Sequence, residues 1–188
     1  MSRINLLGIS GSLRAGSFTT AILETLTDEL SVSADLALHS LGDVPLYNQD
    51  LDTEVPLPAV GALRDAISQA DGLVIVTPEF NYGLPGVLKN ALDWASRPYG
   101  TAPLIGKPVV TISASPAFTG GVRAQAQLNE TLLATQSQLV GGAQVVIGEV
   151  HNKIADGRLI DRPSLDFALG AISGLIEKIE AESQLKAA

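Results

Sequence analysis

The sequence predicts an α/β protein in which a parallel sheet of five strands lies between two layers of helices. Short apolar runs typical of strands alternate along the chain with apolar residues at helical spacing. Such alternation favours right-handed crossovers, which place helices on both faces of a parallel sheet. Residues 73–76 are continuously apolar, as expected for a strand buried on both faces. The 188 residues suit one domain, over residues 1–188, with a substantial core.

Each predicted element follows from a local pattern. The predicted strands are the apolar runs at residues 4–9, 36–41, 73–76, 109–112 and 145–147. The predicted helices follow apolar spacings at residues 22–30, 60–70, 87–95, 128–133 and 167–179. In such a sheet a ligand binds beyond the carboxyl ends of the strands, where the strand order reverses. The loops after the first, third and fourth strands are therefore the candidate site.

Composition narrows the classes of function. The chain has no cysteine, which excludes a dithiol redox centre, so redox chemistry would need a bound cofactor. Only two histidines are present, His39 and His151, and no metal site is expected. The net charge of −8 does not favour binding to nucleic acid or to an anionic membrane. No signal peptide and no apolar stretch of roughly 20 residues is found, so a cytoplasmic location is expected.

The loop after the first predicted strand has the composition of a phosphate-binding loop. It leads into a helix N-terminus, where backbone N–H groups and the helix dipole attract an anion. Ser12, Ser17 and Thr19 supply hydroxyl groups, and Arg14 supplies a planar charged donor. The glycines do not form the dinucleotide pattern G-x-G-x-x-G, and the loop lacks the lysine of a P-loop. The loop is interpreted as a cradle for a single phosphate, with an ordinary turn capped by Ser17 as the alternative.

The loop after the third predicted strand has residues that suit a flat ring. Phe80 and Tyr82 could flank such a ring, and Asn81 could meet its polar edge. Gly83 would let the backbone approach the ring closely. In the loop after the fourth strand, Ser115 is the candidate contact.

Two segments together resemble the NAD(P)H-dependent FMN reductase family, which includes bacterial quinone and chromate reductases. The segments are Gly11-Ser-Leu-Arg-Ala-Gly-Ser17 and Pro78-Glu-Phe-Asn-Tyr82, the second followed by Leu84-Pro-Gly-Val-Leu-Lys-Asn-Ala-Leu-Asp-Trp94. The resemblance covers nearly the whole chain and implies a flavodoxin-like three-layer sandwich with strand order 2-1-3-4-5. It implies that Ser12, Arg14 and Ser17 hold the FMN phosphate. It also implies that the ring and ribityl chain lie against Pro78, Glu79, Phe80, Asn81, Tyr82 and Gly83. Thr19 stands where the family usually has asparagine. Threonine keeps a hydroxyl group at this position but lacks the amide.

The resemblance implies an FMN-dependent oxidoreductase that takes electrons from NADH or NADPH. Quinones are the expected acceptors, with chromate, ferric complexes, azo dyes or flavins also possible. No side chain is assigned a catalytic role, because the flavin carries the chemistry. Two alternatives stay open: a flavodoxin-like electron carrier without nicotinamide turnover, and a phosphate-binding regulatory domain without flavin.

A homo-oligomer is also expected. Residues 94–103 contain Trp94, Tyr99 and two prolines, an aromatic patch that could cover the site of a neighbouring copy. The family resemblance likewise implies homodimers, often paired into homotetramers. Arg123 is interpreted as a solvated or interface arginine, with contact to the phosphates of a nicotinamide cofactor as the alternative.

Overall fold

A parallel sheet runs through the middle of the molecule, in a computed structural model that describes residues 3–187. Its strands are β1 (Ile4–Ser10), β2 (Ala34–His39), β3 (Gly72–Thr77), β4 (Pro108–Ala114), β5 (Gln138–Leu139) and β6 (Val145–Ile147). The order across the sheet is β2-β1-β3-β4, and β5 and β6 both pair with the outer edge of β4. All of these pairings are parallel. The predicted α/β architecture with strand order 2-1-3-4-5 is confirmed.

Helices cover both faces of the sheet. They are α1 (Phe18–Leu30), α2 (Pro58–Gln69), α3 (Gly86–Ala95), α4 (Val122–Ala134) and α5 (Arg162–Ala187). Side chains of β3 alternate between the faces: Val74 and Val76 pack with α1 and α5, while Leu73 and Ile75 pack with α2, α3 and α4. All four are fully buried, which explains why the run reads as continuously apolar. Within residues 3–187, no helix has the length and apolarity needed to span a bilayer.

The outer edge strand is split, which the sequence did not predict. β5 pairs with Pro108 and Val109, and β6 pairs with Ile112 to Ala114, and a five-residue loop, residues 140–144, separates them. This loop contains Gly141 and Gly142, residues with little preference for extended strands. The buried side chain of Gln125 donates from Nε2 to the carbonyl oxygen of Thr111 at 2.9 Å. A side-chain hydrogen bond thus replaces the strand-to-strand bond that is missing there.

Other boundaries also differ from the prediction. β2 covers Ala34–His39 rather than residues 36–41, because its pairing with β1 runs from Ile4 to Ile9 and stops there. Leu41 is buried but lies in the following loop. A two-stranded hairpin, β7 (Ile154–Ala155) and β8 (Arg158–Leu159), precedes α5 and was missed. Its turn is Asp156-Gly157, with positive φ at both residues, a sequence signal that could have predicted it.

The helical spacing also misassigned two side chains. Leu133 and Phe167 belong to the apolar spacings of α4 and α5, which predicted them on the core-facing side. They are 60% and 48% exposed, respectively. Each lies at the margin of its apolar stripe, where the spacing alone does not distinguish a core residue from its exposed neighbour.

The side chain of Trp94 is buried within its own domain. It is 1% exposed, and its Nε1 donates to the carbonyl oxygen of Pro45 at 2.8 Å. Its ring meets Tyr47 edge-on, with 4.8 Å between the ring centroids. The predicted interface patch is therefore wrong for Trp94, because this indole packs beneath the loop of residues 40–57 that joins β2 to α2. Tyr99, from the same segment, is 85% exposed.

A buried ion-pair cluster fixes the same loop against α2 and α3. Asp52 accepts hydrogen bonds from Arg64 Nη2 at 2.7 Å and from Arg97 Nε at 3.0 Å. Arg64 Nε also donates to the carbonyl oxygen of Trp94. Burial raises the pKa of Asp52, but the two hydrogen bonds and the two positive charges outweigh it and leave the pKa below its ordinary value.

We expect Asp52→Asn to lower the free energy of unfolding at pH 7 by about 3 kcal/mol, because it leaves the guanidinium groups without a counter-charge. The wild-type carboxylate contributes fully above the ordinary carboxyl pKa of about 4 and loses its contribution as the pH falls through its lowered folded pKa. The difference between the two proteins should therefore shrink below about pH 4. Urea unfolding of both proteins at pH 7 and pH 3 measures this difference in the free energy of unfolding. The exposed Asp50 in the same loop provides the control variant, Asp50→Asn. A difference of the same size at both pH values would contradict the role of the charge.

Candidate functional site

Three loops enclose a cavity of about 260 Å³ at the carboxyl edge of the sheet. They are the loops after β1, β3 and β4, as the sequence predicted. The cavity is lined by Ser12, Arg14, Ser17, Phe18, Thr19, Pro78, Glu79, Phe80, Ala114, Ser115 and Pro116. The predicted residues outside this lining are Asn81, Tyr82 and Gly83, which lie in the turn at its mouth.

The first two loops approach each other because Gly11 has no side chain. A Cβ at this position would lie 3.0 Å from Pro78 Cδ and 3.3 Å from Thr77 Cα, closer than ordinary contacts. The N–H of Gly11 donates to the carbonyl oxygen of Val76 at 2.8 Å. The parallel pairing of β1 with β3 therefore continues by one bond into the loops, and this holds the two sides of the cavity together.

A chain of hydroxyl groups lies beneath the first loop. Thr19 Oγ1 lies 2.8 Å from Ser17 Oγ and 2.8 Å from Ser10 Oγ, and Thr20 Oγ1 donates to Ser10 Oγ at 3.0 Å. Ser17 occupies the N-cap position of α1, but its side chain makes no capping hydrogen bond. The alternative of an ordinary serine cap is therefore wrong. Thr19, which is 1% exposed, reaches the cavity wall and fixes the hydroxyl of Ser17.

Arg14 gives this end of the cavity its positive charge. Its side chain is exposed, and its guanidinium carbon lies 5.1 Å from the centroid of the Phe18 ring. The backbone N–H of Arg14 donates to Ser12 Oγ at 3.3 Å, which orders the loop between them. A planar cation beside hydroxyl groups and a helix N-terminus is the arrangement that binds a phosphate monoester.

The second loop forms a tight turn with unusual backbone angles. Phe80 and Gly83 exchange backbone hydrogen bonds of 3.1 Å and 3.0 Å, which leaves Asn81 and Tyr82 at the tip. The φ angles of Asn81 and Tyr82 are 51° and 64°, in the left-handed region. Asparagine tolerates this region, whereas tyrosine adopts it at a cost of about 1–3 kcal/mol. The turn presents the exposed rings of Phe80 and Tyr82 beside the cavity.

Helix α4 anchors this turn through contacts that the sequence did not reveal. Glu79 Oε2 accepts hydrogen bonds from the backbone N–H groups of Arg123 and Ala124, at 3.0 Å and 3.2 Å. Gln127 Oε1 accepts one from the N–H of Leu84 at 2.8 Å. The guanidinium of Arg123 lies 4.6 Å from the centroid of the Tyr82 ring. Glu79 therefore caps α4, and no local sequence signal marks a cap that comes from 44 residues away.

Ser115 closes the third side. It is 7% exposed, lines the cavity and accepts a hydrogen bond from the N–H of Ala117 at 3.2 Å. The backbone of the same loop packs closely against Gly148, since a Cβ on Gly148 would lie 2.3 Å from the carbonyl oxygen of Phe118. The loop after β4 therefore forms a fixed wall.

His39 stands apart from this site. It lines a second cavity of about 380 Å³ between the ends of β1 and β2, which shares Ser12 and Arg14 with the first. Burial lowers the pKa of His39, which favours the uncharged form of its imidazole. No group of three or more side chains suited to hold a metal ion occurs in the described part of the chain.

Comparison with known proteins decides the family. Residues 4–152 match the family model for NADPH-dependent FMN reductase. The chain belongs to the NADPH-dependent FMN reductase family. Over 182 residues it is 39% identical to a quinone reductase of Escherichia coli strain K12, which covers 95% of this chain and 96% of that protein. Over 159 residues it is 41% identical to an NAD(P)H-dependent FMN reductase of Pseudomonas aeruginosa, with 84% and 85% covered. The solved structure of FerB, a flavoenzyme NAD(P)H:(acceptor) oxidoreductase of Paracoccus denitrificans, matches with a TM-score of 0.83 at 32% identity, covering 95% of this chain and 98% of that one.

Membership in this reductase family confirms the resemblance seen in the sequence motifs. The chain is an oxidoreductase that uses FMN and a nicotinamide donor. The residues of the cavity fit that cofactor: hydroxyl groups and Arg14 suit a phosphate monoester at one end, and Phe80 with the adjoining turn suits a flat ring at the other.

We expect Arg14→Ala to weaken FMN binding roughly ten- to hundredfold, because it removes a charge-assisted contact of about 1.5–3 kcal/mol. Titrating the apoprotein with FMN and following the quenching of flavin fluorescence gives the dissociation constant. Arg162→Ala is the matched control, since Arg162 is an exposed arginine on α5 that does not line the cavity. An unchanged dissociation constant for Arg14→Ala would mean that the Arg14 side chain is solvated and does not contact FMN.

Proposed function

We propose that this chain, as a single domain over residues 1–188, takes electrons from NADH or NADPH through bound FMN and delivers them to quinones or similar small acceptors. The observation that carries the proposal is the convergence of three strand-end loops on one cavity, with phosphate donors at one end and an exposed aromatic turn at the other. The Escherichia coli relative is a quinone reductase, which supports quinones as the acceptor class. Chromate, ferric complexes, azo dyes and flavins are further acceptors to be screened.

The side chains of this site bind and orient rather than exchange protons. We assign the phosphate to Ser12, Arg14 and Ser17, with Thr19 supporting the hydroxyl of Ser17. We assign the ring and the ribityl chain to Pro78, Glu79, Phe80, Asn81, Tyr82 and Gly83, with Ser115 at the ring edge. When bound, FMN supplies the hydride-accepting and electron-donating chemistry. The ionisable side chains in the described lining are Arg14 and Glu79, and Glu79 is engaged by α4, so we assign no general acid or base.

The turn at the mouth favours one shared binding face for donor and acceptor. Phe80 and Tyr82 are 56% and 70% exposed, so both rings offer apolar surface to a planar molecule that enters the site. The nicotinamide and the quinone would use this surface in succession, the first leaving before the second binds.

Two measurements test the proposed function. Cofactor released by heat should have the mass of FMN rather than FAD, because the first loop offers donors for one phosphate and the end of β2, at His39 and Ser40, has no acid for an adenosine ribose. Initial rates with varied NADPH and quinone should give parallel double-reciprocal lines, as expected for a site used twice in turn. Intersecting lines would mean that both substrates bind together. FMN binding without steady-state NADH or NADPH oxidation would favour the electron carrier, and failure to bind FMN would favour the regulatory domain.

We also propose that the protein is a homodimer or homotetramer in the cytoplasm, without a nucleic acid or membrane partner. Tyr99 and Phe118 are 85% and 84% exposed, and such aromatic side chains are enriched in protein interfaces. The net charge of −8 opposes binding to nucleic acid and to anionic lipid. Light scattering coupled to size exclusion should give at least twice the 19.5 kDa chain mass at micromolar concentration. A fully active monomer that retains FMN would contradict the oligomer.

A further inference from the structure

The carboxylate of Glu79 lies between the cavity and the start of α4. Glu79 lines the cavity, and its side chain is only 9% exposed. One oxygen, Oε2, accepts the hydrogen bonds from the N–H groups of Arg123 and Ala124, and the other, Oε1, lies 3.8 Å from Arg123 Nη1. A negative charge therefore occupies a largely dry wall of the site, against the positive end of a helix.

Capping alone does not require this charge. The N-cap residue of α4 is Gly121, which has no side chain to bond the first turn, so Glu79 fills that role. A single oxygen accepts both N–H groups, and the carbonyl oxygen of a glutamine could do the same. The distance of 3.8 Å from Oε1 to Arg123 is too long for a hydrogen bond. The charge of the carboxylate is therefore separable from its geometry.

We propose that the charge of Glu79 lowers the reduction potential of FMN bound in this cavity. The inference rests on the proposed function, since it requires FMN at this wall. Hydride transfer brings two electrons and one proton to the ring, so the ring gains one negative charge while NAD(P)H becomes NAD(P)⁺. The dipole of α4 and the N–H groups of Arg123 and Ala124 would stabilise that added charge. Glu79 engages these groups and repels the charge, which keeps the reduced ring a strong electron donor.

The burial of Glu79 sets the size of the effect. A charge in a wall with little solvent is screened less than a charge at the surface. Between surface charges, salt weakens the electrostatic interaction over a distance of about 10 Å. Removing it should favour the reduced flavin by about tenfold. For a two-electron couple, this equals a potential about 30 mV higher.

The experiment compares reduction potentials of FMN-loaded variants, measured anaerobically against a reference dye during slow enzymatic reduction. Glu79→Gln keeps the capping oxygen and removes the charge, and its potential should rise by about 30 mV. Glu130→Gln removes the same charge from an exposed position two turns further along α4, and should leave the potential unchanged. Arg123→Gln removes the positive charge that faces Glu79 Oε1 and should lower the potential. Because Arg123 is more than half exposed, this variant should fold, and it tests whether a charge at this wall shifts the potential even if Glu79→Gln does not fold.

Each outcome decides a separate point. A wild-type protein that takes up no FMN would overturn the proposed function and this inference together. A wild-type protein that binds FMN, with the same potential in Glu79→Gln and Arg123→Gln, would overturn this inference alone. Equal melting temperatures of the Glu79→Gln and wild-type apoproteins, together with the raised potential, would establish the electrostatic role apart from the structural one.

Discussion

The close approach of the first loop to the third strand is the constraint on which the candidate site depends. Gly11 lies against Thr77 and Pro78, with no space for a side chain, and its N–H bonds to Val76. This contact joins the phosphate-binding side of the cavity to the ring-binding side. β1 and β3 are neighbours in the sheet only because the strand order reverses there, so topology and one missing Cβ together create the cavity.

The buried interior of this fold could be predicted well from the sequence. Strands covered on both faces leave a continuous apolar run, and helices that pack on one side leave an apolar stripe, so local patterns carry the information. The three loops followed from the same reasoning, because parallel strands deliver their carboxyl ends to one edge. The family motifs added the cofactor, which no single residue type would have identified.

The remaining features depend on contacts between residues distant in sequence, which local patterns do not encode. Glu79 caps α4 from a separate loop, and Gln125 replaces a strand-to-strand hydrogen bond of Thr111. Trp94 has the composition of an interface residue but packs beneath Pro45. Thr19 occupies a phosphate-loop position, yet its hydroxyl faces two serines. In each case the type of the residue could be interpreted from the sequence, whereas its hydrogen-bonding or packing partner could not.

The split outer edge of the sheet also bears on self-association. An exposed edge strand is a template on which another chain can add its own strand, the step that begins many aggregates. At this edge the molecule presents only β5 of two residues and β6 of three, separated by a loop with two glycines. A foreign strand would find too few consecutive N–H and carbonyl groups in register to form a stable ladder. The interruption of the fifth strand thus gives this edge resistance to uncontrolled polymerisation.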